Sequence, residues 1–196
     1  MADSRNAPAD RKDPGRTDAV LQAALALAQE VGYAKLSIEG IASRAGVGKH
    51  TIYRRWPSKG AVFLDAMEAA VGPALRFPET GDVRADLREQ ILAGSDFLGK
   101  PPFGPLYAAL IGEAQRDPAV KQALYERFLL PIEQQTIDRL RTAQEQGQLA
   151  PGLDLALAQD VLYGPLYYRC LVTTESVTPA YVDALLDTLF DGFEPS

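Results

Sequence analysis

At 196 residues the chain suits one core of ordinary size, or a small module joined to a larger one. Its composition, 46% hydrophobic and 23% charged, is that of a folded protein. No apolar run approaches the roughly 18 to 20 residues needed to span a bilayer, and the opening MADSRNAPADRKDPGR has no apolar segment for a signal peptide, so a cytoplasmic protein without a membrane partner is expected.

Cysteine and histidine usage narrows the chemistry further. The single cysteine, Cys170, rules out an intrachain disulfide and is expected to be a small buried apolar residue. The single histidine, His50, leaves no ligand set for a structural zinc, so no metal and no cofactor is expected. Net charge is −6, which taken alone argues against nucleic acid, but residues 1–60 hold ten basic and six acidic side chains. That surplus of +4 leaves −10 for the remainder, the pattern of a basic nucleic-acid module carried on an acidic body.

Along the chain, residues 1–16 are rich in Ala, Asp, Arg and Pro without apolar periodicity and read as a flexible arm. Thr17-Asp18 starts a first helix, with Leu21, Ala24, Leu25 and Ala28 at helical spacing and Gly32 as its stop. Ser37 caps a second, in which Ile38, Ile41, Ala42 and Ala45 form one apolar face; Gly46 supplies the positive φ of a tight turn. A third, short helix over about residues 48–56 buries Val47, Ile52 and Trp56 and is closed by Pro57. Ser58 caps a fourth, with Phe63, Leu64, Met67, Ala70 and Val71 inward and Gly72-Pro73 as its end. No Glu or Gln completes a capping box at these starts, so periodicity alone sets the boundaries.

After a linker over residues 73–82 come longer helical patterns at about 83–100, 103–116, 118–147, 154–173 and 179–193. They are separated by Pro101-Pro102, Asp117-Pro118, Pro151-Gly152 and Pro179. There is no alternating strand pattern and no internal repeat, so the fold class is all-α. Pro131 and Pro165 fall inside helical patterns and should kink them, since each removes a backbone donor.

The informative segment is Leu36–Lys59, LSIEGIASRAGVGKHTIYRRWPSK. Two short helices joined at Ala45-Gly46-Val47 have the length and glycine turn of a helix-turn-helix, whose second helix enters the major groove. Lys49, His50, Thr51, Arg54 and Arg55 leave that helix on faces not needed by Ile52 and are the candidates for DNA contact. Arginine can bridge guanine O6 and N7, while lysine and threonine serve bases or phosphates. Arg54 and Arg55 are about 100° apart on a helix, so one is expected to read a base and the other a phosphate, with Arg54 leaning to phosphate. Ser37 and Lys59 stand at helix starts, where free donors favour an anion, although capping alone explains Ser37 equally well.

The run Ile41-Ala42, Ala45-Gly46-Val47-Gly48, Thr51-Ile52-Tyr53, Trp56 and Ser58-Lys59 resembles the signature of the TetR family over roughly residues 17–64. The resemblance implies an N-terminal three-helix DNA-binding domain (17–64) and a larger C-terminal helical ligand-binding and dimerisation domain (65–196). It implies phosphate contacts from Ser37, Tyr53 and Lys59, with packing of the Tyr53 ring in the small core as the alternative for that residue. It also implies a pocket for a small-molecule effector, for which Phe97, Phe103, Tyr107, Tyr125, Phe128, Tyr163 and Tyr167 are the candidate lining residues. The last helix carries a wide apolar stripe, Val182, Leu185, Leu186, Leu189, Phe190 and Phe193. That stripe either caps its own core or, as the resemblance implies, joins the preceding helix in a homodimer interface facing a roughly palindromic double-stranded DNA operator.

The expected function is therefore a repressor released from its operator by a ligand. The rival class is a small all-helical enzyme or ligand-binding protein that does not use its helix-turn-helix. Against an enzyme stands the absence of any nucleophile–base motif or phosphate loop, so no catalytic residue is expected; Asp96 and Glu113 read as solvated or paired carboxylates.

Overall fold

The computed structural model describes residues 14–193, so the arm expected over residues 1–16 lies outside the described residues up to residue 13. Every regular element among the described residues is helical. Helix α1 (Pro14–Val31) starts three residues ahead of Thr17, because a proline is tolerated in the first turn, where its missing N–H would have no intrahelical partner. Gly32 ends α1 in a positive-φ conformation, and its N–H bonds Ala28 O at 2.9 Å. A single 3-10 turn over Tyr33–Lys35 follows, which periodicity did not reveal, and it buries Tyr33.

Helix α2 (Ile38–Ala45) opens with Ser37 Oγ accepting from Gly40 N–H at 3.1 Å and closes at Gly46, whose φ of 65° admits no bulky residue cheaply. Helix α3 (Lys49–Tyr53) is shorter than the expected 48–56; Arg54 and Arg55 lie in the turn after it, and Trp56 N–H still reaches Ile52 O at 2.9 Å. Helix α4 (Lys59–Val71), capped by Ser58 Oγ on Ala61 N–H at 3.2 Å, packs on α1 from one side and on the C-terminal helices from the other. It is accordingly buried over most of its circumference, including Val62, Phe63, Leu64, Ala66 and Met67. Ala70, expected inward, is exposed, because the flank of the last turns that carries Glu68, Ala69 and Ala70 faces solvent.

The C-terminal elements fall where proline and aspartate punctuation places them. They are α5 (Val83–Gly99), α6 (Phe103–Ala114), α7 (Pro118–Leu124), α8 (Leu130–Glu145), α9 (Leu155–Tyr167) and α10 (Pro179–Phe193). Asp82, Asp117 and Asp154 cap α5, α7 and α9 by accepting from the first free N–H groups. A π-turn over Tyr125–Leu129 joins α7 to α8, and another over Tyr168–Val172 continues α9. Each lies beside one of the two internal prolines: Pro131 cannot donate to Arg127 O, and the wide turn ends just before it with Leu130 N–H bonding Tyr125 O.

Helix α5 is the hub, touching α6, α8, α9 and α10. Its Phe97 ring lies 5.2 Å from Tyr107 and 5.4 Å from Phe128. Near its start, the buried Asp86 accepts from Thr80 Oγ1 (2.6 Å), Thr80 N–H (3.1 Å) and Arg139 Nε (2.7 Å), fastening the linker and α8 to one carboxylate. The apolar stripe of α10 divides. Val182, Leu186 and Phe190 are buried in the chain's own core, with Arg88–Asp183 (2.5 Å) and Arg84–Asp187 ion pairs tying the same face to α5. Leu185 and Leu189 are only partly covered. The side chain of Phe193 lies outside the described residues.

Candidate nucleic-acid interface

Helix α3 is held from beneath by Ile52 (0% exposed) and by Trp56 (2% exposed), whose indole Nε1–H donates to Asp65 Oδ2 on α4 at 2.7 Å. Five residues are too few for an independent helix. The short segment is therefore rigid only because its apolar side is packed, and its opposite side is free to meet a groove.

Lys49 and His50 are exposed and Thr51 is half-buried on the outer side of α3. Lys49 Nζ is 3.0 Å from Glu39 Oε1 on α2, and this hydrogen bond lowers the carboxyl's pKa and raises the ammonium's. Tyr53 is 51% exposed, so its ring does not join the small core. Arg54 and Arg55 are both exposed. Arg55 Nη1 donates to Thr17 Oγ1 of α1 at 2.7 Å, and its guanidinium lies 5.0 Å over the Trp56 ring. Ser37 spends its hydroxyl as the α2 cap.

Lys59 sits at the opposite end of this face. Its ammonium donates to Tyr33 O (3.4 Å) and Ala34 O (3.3 Å), lies 4.9 Å from the Tyr33 ring centre, and is 3.7 Å from Glu113 Oε2 on α6. The Tyr33 hydroxyl donates to the other Glu113 oxygen at 3.3 Å; burial first, and then the Glu113 charge, pushes that phenol above its ordinary pKa. Glu113, expected as a solvated or paired carboxylate, is paired, but sequence reasoning missed its partners, the Thr17 contact to Arg55, Glu39 and the bidentate Arg44–Glu30 pair (2.6 and 2.7 Å). These partners are ten or more residues away from the bases they meet, so no local pattern announces them.

A second feature lies in the larger helical part. A cavity of about 400 Å³ lies between α5, α8 and α9, with Leu75 and the π-turn residues Phe128 and Leu129 also in its wall; of its lining, Asp160 and Gly164 are exposed. Of the seven aromatic candidates, Phe97, Phe128, Tyr163 and Tyr167 line it. Phe103, Tyr107 and Tyr125 do not. Phe103 stacks behind Phe97 at 6.1 Å; Tyr107 is fully buried behind the wall, its hydroxyl 2.8 Å from that of Tyr167; Tyr125 is 45% exposed and bonds Glu133 at 3.1 Å. Lining residues that the aromatic pattern overlooked include Gln90, Ile132, Glu133, Thr136 and Asp160. Cys170 is half-buried, and burial raises its thiol pKa.

Comparison with known proteins bears on both features. The family described as "Bacterial regulatory proteins, tetR family" matches residues 20–66, and "Tetracyclin repressor-like, C-terminal domain" matches residues 77–189. The chain is 32% identical, over 93% of its length and 92% of the relative's, to an uncharacterized HTH-type transcriptional regulator, YdeS, of Bacillus subtilis. It is 28% identical, over 88% and 90%, to a DNA-binding transcriptional repressor TetR of Mycobacteroides abscessus. Among solved structures, the TetR family transcription regulator SCO0332 superposes with a TM-score of 0.82 at 39% identity, covering 92% of this chain and 99% of that one.

Proposed function

The chain belongs to the TetR family of DNA-binding transcriptional regulators, and on that premise we propose that it is a repressor that occupies a palindromic operator as a homodimer and leaves it when a small molecule fills the α5–α8–α9 cavity. The observation that carries the reading is α3 itself: a short helix locked by Ile52 and Trp56 that turns Lys49, His50, Thr51 and Tyr53 outward from a rigid base. Functionally, residues 17–64 form the reading head and residues 65–196 the sensing and pairing part, with α4 continuous across the division. One relative is named a repressor, which favours the negative sign.

In this reading Lys49 and Thr51 approach base edges, Tyr53, Lys59 and the α2 cap at Ser37 approach phosphates, and His50 stands beside them. Arg55, held by Thr17 of α1 and set over Trp56, is assigned the backbone flank, the reverse of the expected lean, and the division of roles expected of the pair then gives the base edge to Arg54. Phe97, Phe128, Tyr163 and Tyr167 serve as the aromatic wall of the effector site. Pairing uses the outer faces of the last two helices, where Leu157 (60%) on α9, Tyr168 (61%) and Val172 (73%) on the π-turn that continues it are exposed and Leu185 and Leu189 of α10 are only partly covered. A row of large apolar side chains left open to water is the mark of an interaction surface.

The test is selection from random duplexes at one fixed salt concentration, using the wild type, Arg54→Ala and Arg55→Ala. A two-fold symmetric consensus is expected. Arg54→Ala should relax one position per half-site, and Arg55→Ala should weaken all sites alike. Failure to enrich any sequence would overturn the operator reading, and identical consensus sequences from all three proteins would remove both arginines from base recognition.

A further inference from the structure

We propose that the cavity accepts a largely apolar molecule bearing a hydroxyl or N–H donor, neutral or cationic, which bonds Gln90 Oε1, and that it rejects carboxylates and phosphates. The proposal rests on the cavity being the effector site, as argued above, and adds the chemistry of its occupant.

Gln90 lies on α5 in the cavity wall with 2% of its surface exposed. Its amide orientation is settled by Leu75 O, 2.6 Å from Nε2: a carbonyl only accepts, so the amino group must face it. That leaves Oε1, which is buried and has no hydrogen-bond partner. The nearby hydroxyls do not serve it, because Thr136 Oγ1 is engaged with Ile132 O (3.0 Å) and with the Tyr163 hydroxyl (3.3 Å). A native interior seldom leaves a buried amide oxygen orphaned, and because Gln90 belongs to the cavity wall, a donor on the occupant would complete it once the side chain yields slightly.

Charge sets the second half of the specificity. Among the described residues no lysine, arginine or histidine lines the cavity, whereas Glu133 and Asp160 do. An anion would lose its hydration against Phe97, Phe128 and Ile132 and meet two carboxylates, with neutral donors such as the Gln159 amide and the tyrosine hydroxyls but no cation to offset them. An alcohol, phenol or amine meets the opposite situation: its apolar body displaces nothing polar and its donor finds Oε1. A volume of about 400 Å³ lies within the range of small-molecule sites and suits two rings or a chain of comparable bulk.

The experiment compares probes that share one body: biphenyl, 4-phenylphenol, 4-(aminomethyl)biphenyl and biphenyl-4-carboxylate. Binding to the full chain is measured by calorimetry, and release is measured on the duplex selected above. The phenol and the amine should bind about tenfold more tightly than biphenyl, the worth of one hydrogen bond, and the carboxylate should bind more weakly than biphenyl. Gln90→Met, similar in bulk, should erase the advantage of the phenol while keeping biphenyl binding. Glu133→Gln, which spares Gln90, should narrow the gap between amine and carboxylate. Tight carboxylate binding, an unchanged phenol preference in Gln90→Met, or no binding by any probe overturns the proposal. Binding in the predicted order without release of DNA leaves the ligand chemistry standing and overturns the sensing role instead.

Discussion

Two basic side chains on the reading face already carry carboxylates: Glu39 holds Lys49 and Glu30 holds Arg44 in a bidentate pair. Both pairs are solvent-exposed, where water and salt screen such contacts, so a phosphate or base edge competes for Lys49 at little cost. Glu39→Gln should therefore raise affinity for every duplex alike, by up to about fivefold, in fluorescence-anisotropy titrations; a change confined to the operator would mean that Glu39 itself contacts bases. For Lys59 the competing groups are stronger, two backbone carbonyls and the Glu113 carboxylate. If it clamps a phosphate, Lys59→Ala lowers the slope of log K against log salt by about one, and an unchanged slope removes it from the clamp. Which side chains lie on this face was legible from the spacing around Ile52 and Gly46. Which of them are already engaged was not, because Thr17, Glu30 and Glu113 reach it from separate helices.

At the scale of elements, the split stripe of α10 separates two kinds of substitution that look alike in sequence. Leu186 and Phe190 face the chain's own α5, so Leu186→Glu should unfold the protein in a thermal melt. Leu157→Glu with Tyr168→Glu, on the outer face, should leave the melt's cooperativity intact and give a monomer in sedimentation; a dimer that persists places the pairing surface elsewhere. The Asp86–Arg139 pair yields a stability prediction. Burial pushes the Asp86 carboxyl up, but hydrogen bonds from Thr80 and Arg139 outweigh it and hold the pKa below the usual value. A depressed carboxylate stabilises the fold above its unfolded pKa of about 3.9, and that contribution fades as pH falls through the folded value. Asp86→Asn strands a buried guanidinium and should cost about 3–5 kcal/mol near neutral pH in urea titrations, with a flatter acid limb than the wild type. The helix spans after residue 82 were readable because prolines and aspartates act locally as stops and caps. The π-turns, the brevity of α3 and the exposure of Ala70 were not, since tertiary packing decides how a helix ends and which flank it buries.

For the whole molecule, the reading head and the sensing part meet at a few polar joints. Asp65 on α4 accepts from Trp56 Nε1 at 2.7 Å and from Arg127 Nη1 at 2.9 Å; Arg127 belongs to the π-turn whose Phe128 and Leu129 line the cavity. A ligand that repacks that turn acts on Arg127, and through Asp65 on the residue that closes the reading helix. Asp65→Asn should accordingly retain operator binding while shrinking the ligand-induced loss of affinity by about tenfold, a coupling of ordinary size. An undiminished response would route the signal through Glu113 and Lys59. The joint has one more consequence. Trp56 is the chain's single tryptophan. Its ring NH rests on the Asp65 carboxylate and its face is covered by the Arg55 guanidinium, so its one indole touches both the sensing and the reading side. Emission excited selectively from that ring is then an unlabelled optical gauge. On the proposed function, an effector would shift it from the Asp65 side and DNA from the Arg55 side, and the two shifts would separate in one cuvette by comparing Asp65→Asn with Arg55→Ala.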